Sequence, residues 1–278
     1  MAEITASLVN QLRKQTNAGL MECKKALTEA NGDIEEAVQI LRKKGAASAA
    51  KKASRDAKEG VIAQFIQPNA KVGVIVEVNC ETDFVAKNES FQTFCNGIAE
   101  KLAADPGTDI EALRTQQVAQ VGENIKIPRH QRVEIDGNGL VAAYIHTGAK
   151  VGVLAEVHAE KEETVQAEAF KSLVRDITLQ IAAASPVAVS RDEVDPEIVR
   201  KEKEIAEEQA KGKPAAAVEK IIEGKLNKYF QGVCLIDQGF IKNNGETSVG
   251  DHIAETAKAL GDNISVKQFI RYQVGETD

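Results

Sequence analysis

The chain has 278 residues and a formal net charge of −7, from 35 Lys and Arg against 42 Asp and Glu. This length is enough for about two domains, and an apolar share of 43% argues against a disordered chain, which could not bury enough surface to fold. The acidic balance argues against bulk electrostatic capture of nucleic acid or an anionic membrane; with no membrane-spanning run and no signal-peptide pattern, we expect a soluble, cytoplasmic protein.

The first 45 residues predict a bundle of three short helices. Two apolar stripes at helical spacing come before Asn31-Gly32, a pair that tolerates the left-handed backbone at a helix end. The stripes consist of Ile4, Leu8, Val9 and Leu12, and of Leu20, Cys23, Ala26 and Leu27. Asp33 and Glu36 offer capping groups for a third helix, which we expect to end near Gly45.

A basic segment follows the predicted bundle and has no apolar stripe. Cations outnumber carboxylates between Arg42 and Glu59, among residues rich in Ala and Ser. Such a segment could contact RNA or an acidic protein partner. Charge runs are more often solvated, so a solvent-exposed helical linker is the simpler interpretation.

The most informative feature of the chain is an internal repeat with a constant offset of 79 residues. Gly60–Ile66 returns as Gly139–Ile145, and Ala70–Val78 returns as Ala149–Val157. In each copy, two β-branched runs flank a turn and an amphipathic helical stripe follows. Each copy therefore predicts a β-hairpin and then a helix.

Each hairpin is expected to gain a third strand, from Lys126 to Asp136 in the first copy and from Val266 to Val274 in the second. The second copy contains about 60 extra residues before that strand. They predict a helix, a break at Gly212–Pro214 and a second helix. We therefore expect an antiparallel helical hairpin, inserted at about residues 190–228.

Together these elements predict an α+β protein. It comprises an N-terminal three-helix (UBA-like) bundle and two repeated α+β subdomains with small antiparallel sheets, the second carrying the inserted hairpin. We place the bundle and its basic linker at residues 1–54, the first core subdomain at 55–138 and the second at 139–278.

The sequence has no recognisable metal or nucleotide motif. Cys23, Cys80, Cys95 and Cys234 are far apart, without the closely paired ligands typical of zinc sites. We expect reduced, half-buried thiols and neither a metal nor a cofactor. Because G-x-x-x-x-G-K-[ST] and G-x-G-x-x-G are both missing, we also expect no direct nucleotide binding.

The two copies stop agreeing after Glu81 in the first copy. The first continues Thr82-Asp83-Phe84-Val85, whereas the second continues with a charged run that we expect to be solvated. Phe84, in a loop after a strand, allows two interpretations. It could be a local core residue with Asp83 capping the next helix, or an exposed aromatic anchor for a protein partner.

Two segments, Glu77–Lys87 and Leu12–Leu27, carry a resemblance to a known family. The first (EVNCETDFVAK) closely resembles the central signature of the bacterial elongation factor Ts family, and the second (LRKQTNAGLMECKKAL) resembles its N-terminal signature. The resemblance covers essentially the whole chain. It implies a guanine nucleotide exchange factor, without covalent chemistry of its own, that binds elongation factor Tu in its GDP-bound and nucleotide-free forms.

The resemblance also implies roles for individual residues. The loop of Thr82, Asp83, Phe84 and Val85 would enter the GTPase domain of elongation factor Tu. Phe84 would insert between helices as a buried aromatic anchor. Asp83 would disturb the groups that organise Mg²⁺, and loss of that cation weakens the hold on GDP.

Further partner contacts are implied on both sides of this loop, and each also has a purely structural interpretation. The implied residues are Arg13, Met21, Cys23, Lys24, His146, Phe240 and Ile241. The four bundle residues would contact the GTPase domain or simply form bundle surface and core. His146 would contact the partner's third domain or be a satisfied histidine at a strand end, and the last two would form an apolar contact or part of the core.

Other functions have weaker support. His130, His146, His158 and His252 have no nucleophile elbow or metal signature around them, which argues against a conventional enzyme. An RNA-binding factor would depend on the basic linker alone, against the net charge and the few aromatic residues. A helical adaptor without exchange activity would leave Phe84 unexplained.

Overall fold

A computed structural model describes residues 4–16 and 18–276 and confirms the α+β class. The strands are β1 (Glu59–Ile66), β2 (Val72–Cys80), β3 (Lys126–Glu134), β4 (Gly139–Ile145), β5 (Val151–Ala159) and β6 (Ile264–Gln273). They form two antiparallel sheets with strand orders β1-β2-β3 and β4-β5-β6. Both expected third strands are therefore present, within two residues of their predicted bounds at each end.

Eleven α-helices lie in the described part of the chain. They are α1 (Ala6–Thr16), α2 (Leu20–Glu29), α3 (Ile34–Lys52), α4 (Asp83–Ala86), α5 (Glu89–Ala104), α6 (Ile110–Val121), α7 (Glu162–Gln166), α8 (Glu168–Ala184), α9 (Pro196–Ala210), α10 (Ala215–Val233) and α11 (Val249–Leu260). Contacts divide the chain into two compact units. The first comprises the chain up to Ala63, Val76–His130 and the chain from Gln273; the second comprises Gln64–Ile75 and Gln131–Tyr272. The predicted boundaries at residues 54 and 138 stay a prediction.

The N-terminal bundle has a small apolar core between α1, α2 and α3. Its buried members are Val9, Leu12, Cys23, Ala26, Leu27, Ala30 and Ala37. Asp33 caps α3, because its carboxylate accepts a hydrogen bond from the backbone N–H of Glu36 at 2.8 Å. Leu20 was expected on the core face and is instead 51% exposed. It is the first residue of α2, and its side chain lies on the solvent-facing side of that helix.

The third helix does not end near Gly45, as predicted, but continues to Lys52. A Cβ atom on Gly45 would lie 3.7 Å from the Cβ of Ala119 in α6, and Ala49, one turn later, is also buried. Small residues let two helices approach closely, so contact with α6 extends α3. The helical linker expected after the bundle is therefore confirmed as far as Lys52, but as a continuation of α3 that buries Ala49 and is not exposed throughout.

The two copies of the repeat share the details of their backbone. Gly60 and Gly139 occupy equivalent positions, where an added Cβ would lie 2.3 and 2.5 Å from a carbonyl oxygen of the opposite strand. Ala70 and Ala149 both adopt the left-handed conformation, at φ +54° and +55°, in the hairpin turns. The internal repeat of the sequence is thus a repeat of structure.

The charged run after β5 is solvated as expected at Lys161, Glu162 and Glu163, which are exposed. Thr164, at the end of that run, is instead buried with Val165, because Glu162–Gln166 forms the short helix α7. Both copies therefore continue alike beyond the point where their sequences part.

The inserted helical hairpin is confirmed. Asp195 caps α9 by accepting a hydrogen bond from the N–H of Glu197 at 2.8 Å, and Pro196 follows at the first helical position. Beneath the hairpin, Val194, Phe230 and Cys234 belong to one buried cluster. The second helix runs to Val233, five residues beyond the predicted end.

All four cysteines are free and fully buried, rather than half-buried as expected, because they fill positions in the apolar cores. In residues 4–16 and 18–276, no group of three or more potential ligands is placed to hold a metal ion. Over the same residues, no helix is long and apolar enough to cross a membrane.

Candidate functional site

The motif after β2 forms a one-turn helix and not the loop that was expected. We call Thr82–Ala86 the Phe84 turn. The Thr82 hydroxyl caps it by accepting a hydrogen bond from the N–H of Val85 at 3.3 Å. Asp83 is the first helical residue, so the interpretation in which Asp83 caps the next helix is wrong; Asn88 caps that helix instead.

Phe84 is 82% exposed, more than any other large apolar side chain in the described part of the chain. Its neighbour Ala86 faces inward and is buried, which orients the turn with the aromatic ring outward. The interpretation of Phe84 as a local core residue is therefore wrong. A ring of this size leaves about 2–3 kcal/mol of burial free energy unused while it remains in water.

Asp83 forms an exposed ion pair beside the ring. Its Oδ2 lies 2.7 Å from Nζ of Lys87, one helical turn later. The hydrogen bond and the charge of Lys87 hold the pKa of Asp83 below its ordinary value, so Asp83 is an anion at neutral pH. Because exposed ion pairs contribute little to stability, another cation or polar group can replace Lys87 at small cost.

The side-chain carboxylate of Glu123, which was not among the predicted site residues, accepts hydrogen bonds from the start of the Phe84 turn. Oε2 of Glu123 accepts hydrogen bonds from the backbone N–H groups of Glu81 and Thr82, each at 3.0 Å. Its Oε1 accepts the Thr82 hydroxyl at 2.7 Å. Glu123 is far from the motif along the chain, and no local pattern pointed to it.

The predicted residues of the bundle separate into surface and core. Arg13, Met21 and Lys24 are exposed, Met21 by 60%. Cys23 is fully buried in the bundle core and makes a thiol hydrogen bond to the carbonyl oxygen of Ala18 at 3.6 Å. Cys23 is thus part of the bundle core, one of its two expected interpretations, and a partner contact through it stays a prediction. The exposed Leu20 beside Met21 was missed because it matched the core stripe.

The second unit contains the other predicted residues. His146 is exposed at the end of β4, with Nδ1 3.0 Å from the hydroxyl of Tyr144. Phe240 is buried, and its ring stacks on His252 with centroids 4.3 Å apart. Phe240 thus packs in the core, one of its two expected interpretations, and a partner contact through it stays a prediction. The following Ile241 is 40% exposed.

Comparison with known proteins points to one family throughout. The family model for Elongation factor TS matches residues 81–276. The chain is 43% identical to elongation factor Ts of Clostridium perfringens over 289 aligned residues, which cover 98% of this chain and 93% of that protein. It is 42% identical to elongation factor Ts of Clostridium novyi and 41% identical to that of Trichlorobacter lovleyi, each over 291 residues with the same coverage.

Proposed function

This chain belongs to the elongation factor Ts family, and we propose that it is the guanine nucleotide exchange factor of elongation factor Tu in translation elongation. It binds the GDP form, promotes release of GDP and Mg²⁺, and holds the empty form until GTP binds. It binds no nucleotide directly and performs no covalent chemistry.

Thermodynamic linkage between nucleotide binding and exchange-factor binding determines which contacts such a protein must make. If it weakens nucleotide binding by some factor, then nucleotide weakens its own binding by the same factor. Its contacts must therefore be complete only in the nucleotide-free conformation of the partner. Contact with the nucleotide itself is unnecessary.

The observation that carries the proposal is the exposed ring of Phe84 on a hydrogen-bonded turn. In the proposed complex this ring inserts between helices of the GTPase domain. A buried aromatic anchor contributes about 2–4 kcal/mol, which corresponds to roughly 30- to 1000-fold in affinity. Because the contact forms only in the nucleotide-free conformation of elongation factor Tu, it stabilises that conformation and so lowers the affinity for GDP.

Asp83 acts on the cation in this proposal. Its ionised carboxylate, adjacent to the inserted ring, displaces the groups that organise Mg²⁺. Because Mg²⁺ neutralises and bridges the phosphates, its loss loosens GDP.

Exposed residues outside the Phe84 turn bind other parts of elongation factor Tu in this proposal. Arg13, Met21 and Lys24 contact the GTPase domain, while His146 and Ile241 contact another part of the partner. Their exposure supports this assignment. The two buried residues of the prediction act by shaping the surface above them.

The test is the release of a fluorescent GDP analogue from elongation factor Tu, chased with excess unlabelled GDP. We expect an acceleration that rises with the concentration of this protein and weakens strongly in Phe84→Ala. Val187→Ala removes another exposed apolar side chain and serves as the control, with an unchanged rate. Absence of acceleration despite binding would refute exchange activity, and a normal rate in Phe84→Ala would refute insertion of the ring.

A further inference from the structure

We propose that Glu123 is a positioning residue, which holds the Phe84 turn in the orientation that nucleotide exchange requires. The inference depends on the proposed function, because it assigns a role in presenting Phe84. Glu123 itself need not contact the partner.

The hydrogen bonds of Glu123 reach the residues that set the direction of the turn. Its carboxylate accepts three donors from two consecutive residues, the N–H groups of Glu81 and Thr82 and the Thr82 hydroxyl. The same hydroxyl accepts the N–H of Val85. A continuous chain of hydrogen bonds therefore leads from Glu123 into the single turn that carries Phe84.

Glu123 is itself fixed in place. Gly122 ends α6 in the left-handed conformation, at φ +82°. Asn124, on the other side, is buried; its N–H donates to Oε1 of Glu81 at 2.5 Å, and its side chain donates to the carbonyl oxygen of Arg55 at 2.8 Å. Glu81 and Glu123 thus each accept a backbone N–H from the other's segment, which locks the two segments together.

The second copy of the repeat contains an equivalent set of hydrogen bonds to the turn after its second strand. Gly261-Asp262-Asn263 follows α11 as Gly122-Glu123-Asn124 follows α6, and both precede the third strand. Oδ2 of Asp262 accepts the N–H of Lys161 at 3.0 Å, and the side chain of Asn263 donates to Glu160 at 2.8 Å. An acidic residue anchors the post-strand turn in both copies, but only the first turn presents an aromatic ring.

The hydrogen bonds to Glu123 matter because Phe84 projects into solvent from a helix of only four residues. So short a helix has little stability of its own. Without the carboxylate, the turn would sample several conformations, and binding would have to order it again. Preorganisation removes this entropic cost and improves the fit of the inserted ring.

The test compares three variants in the GDP-release assay, with the maximal rate and the half-saturating concentration measured separately. Glu123→Ala should lower exchange efficiency by about tenfold, the effect expected from loss of the hydrogen bonds that hold a turn. Glu123→Gln keeps acceptor oxygen for the two N–H groups and should lose less than about threefold. Asp262→Ala removes the matching anchor from the second copy and should change exchange less than twofold.

A double variant separates positioning from a general structural role. If Glu123 acts through the ring, Glu123→Ala should have almost no further effect in a Phe84→Ala background. Fully additive losses would overturn the proposal, as would equal losses in Glu123→Ala and Asp262→Ala. The proposed function fails on separate readings, namely no acceleration by the natural protein or no effect of Phe84→Ala alone.

Circular dichroism on each variant reports folding. If Glu123→Ala does not fold, Thr82→Ser and Thr82→Val take its place, because serine keeps the hydroxyl that donates to Glu123 and valine removes it. The proposal then predicts that Thr82→Val slows exchange more than Thr82→Ser does. Equal rates in the two would overturn it.

Discussion

The turn after β2 and the turn after β5 stand on the same scaffold and differ in what they present. Both begin after a strand that ends near a glutamate, form a short helix and are anchored by an acidic residue from a distant segment. The first exposes Phe84, whereas the second has Glu163 at the equivalent position and buries Val165. The fold therefore provides an anchored turn in both copies of the repeat. Only the side chain of Phe84 makes the first turn a candidate for insertion into the partner.

The largest effect is expected when the first turn is made to resemble the second. Phe84→Glu should reduce exchange efficiency by about 100-fold or more, because it deletes the anchor and would bury an unpaired charge in the partner. Stopped-flow GDP release measures it. Glu163→Phe is the reciprocal control and should leave the rate within twofold, since a ring on the second turn lacks the complementary site. Rescue of Phe84→Glu by Glu163→Phe would contradict the distinction between the turns.

A smaller loss is expected from Asp83→Asn, which keeps the shape of the side chain and removes its charge. Exchange should fall by about tenfold, the cost of one charge-assisted interaction. The loss should shrink when Mg²⁺ is depleted, because the carboxylate then has no cation to displace. GDP release across a Mg²⁺ series provides the measurement, and a loss independent of Mg²⁺ would assign Asp83 another role.

The bundle offers a comparison between a surface residue and the core residue beneath it. Met21→Ala should weaken binding to elongation factor Tu by a few-fold to about tenfold without changing the melting temperature. Cys23→Ser places a hydroxyl in an apolar core and should destabilise the protein by about 1–3 kcal/mol. Calorimetric titration and thermal unfolding distinguish the two. A melting temperature lowered by Met21→Ala would show that its side chain is structural.

The smallest effect concerns the ion pair of the Phe84 turn. Lys87 lowers the pKa of Asp83, so the pair stabilises the folded protein above the ordinary pKa of an aspartate and this contribution is lost as the pH falls through the lowered value. Lys87→Met should raise the pKa of Asp83 toward 3.8, as an NMR titration of the carboxyl carbon would measure. Between pH 6 and 8 exchange should not respond to this group. An unchanged pKa would show that the pair does not persist in solution.

Local chemistry made much of the fold predictable. The cap at Asp33, the break at Gly212–Pro214 and the repeated hairpins each act over a few residues, so the sequence pattern alone indicates them. The extent of α3 was not predictable in this way. Gly45 usually weakens a helix, whereas the Ala and Lys residues after it favour one, and the structure adds the contact of Gly45 with α6.

The candidate site shows the same limit. Helical spacing placed Leu20 with Cys23, although the first residue of a helix can face outward and Leu20 does. Whether Phe240 or Ile241 faces the surface depends on backbone direction in an irregular segment, which periodicity cannot give. Glu123 reaches the Phe84 turn only through the fold, so its contact was invisible without the structure.

The most direct test of the proposed insertion of Phe84 is the affinity of this protein for elongation factor Tu, measured with and without saturating GDP. By linkage, the ratio of the two dissociation constants equals the factor by which the protein weakens GDP binding. We predict a large ratio for the natural protein and a ratio at least about 30-fold smaller for Phe84→Ala, because the ring contributes only in the nucleotide-free complex. If Phe84→Ala weakened both complexes equally and left the ratio unchanged, Phe84 would be an ordinary contact and the account would be contradicted.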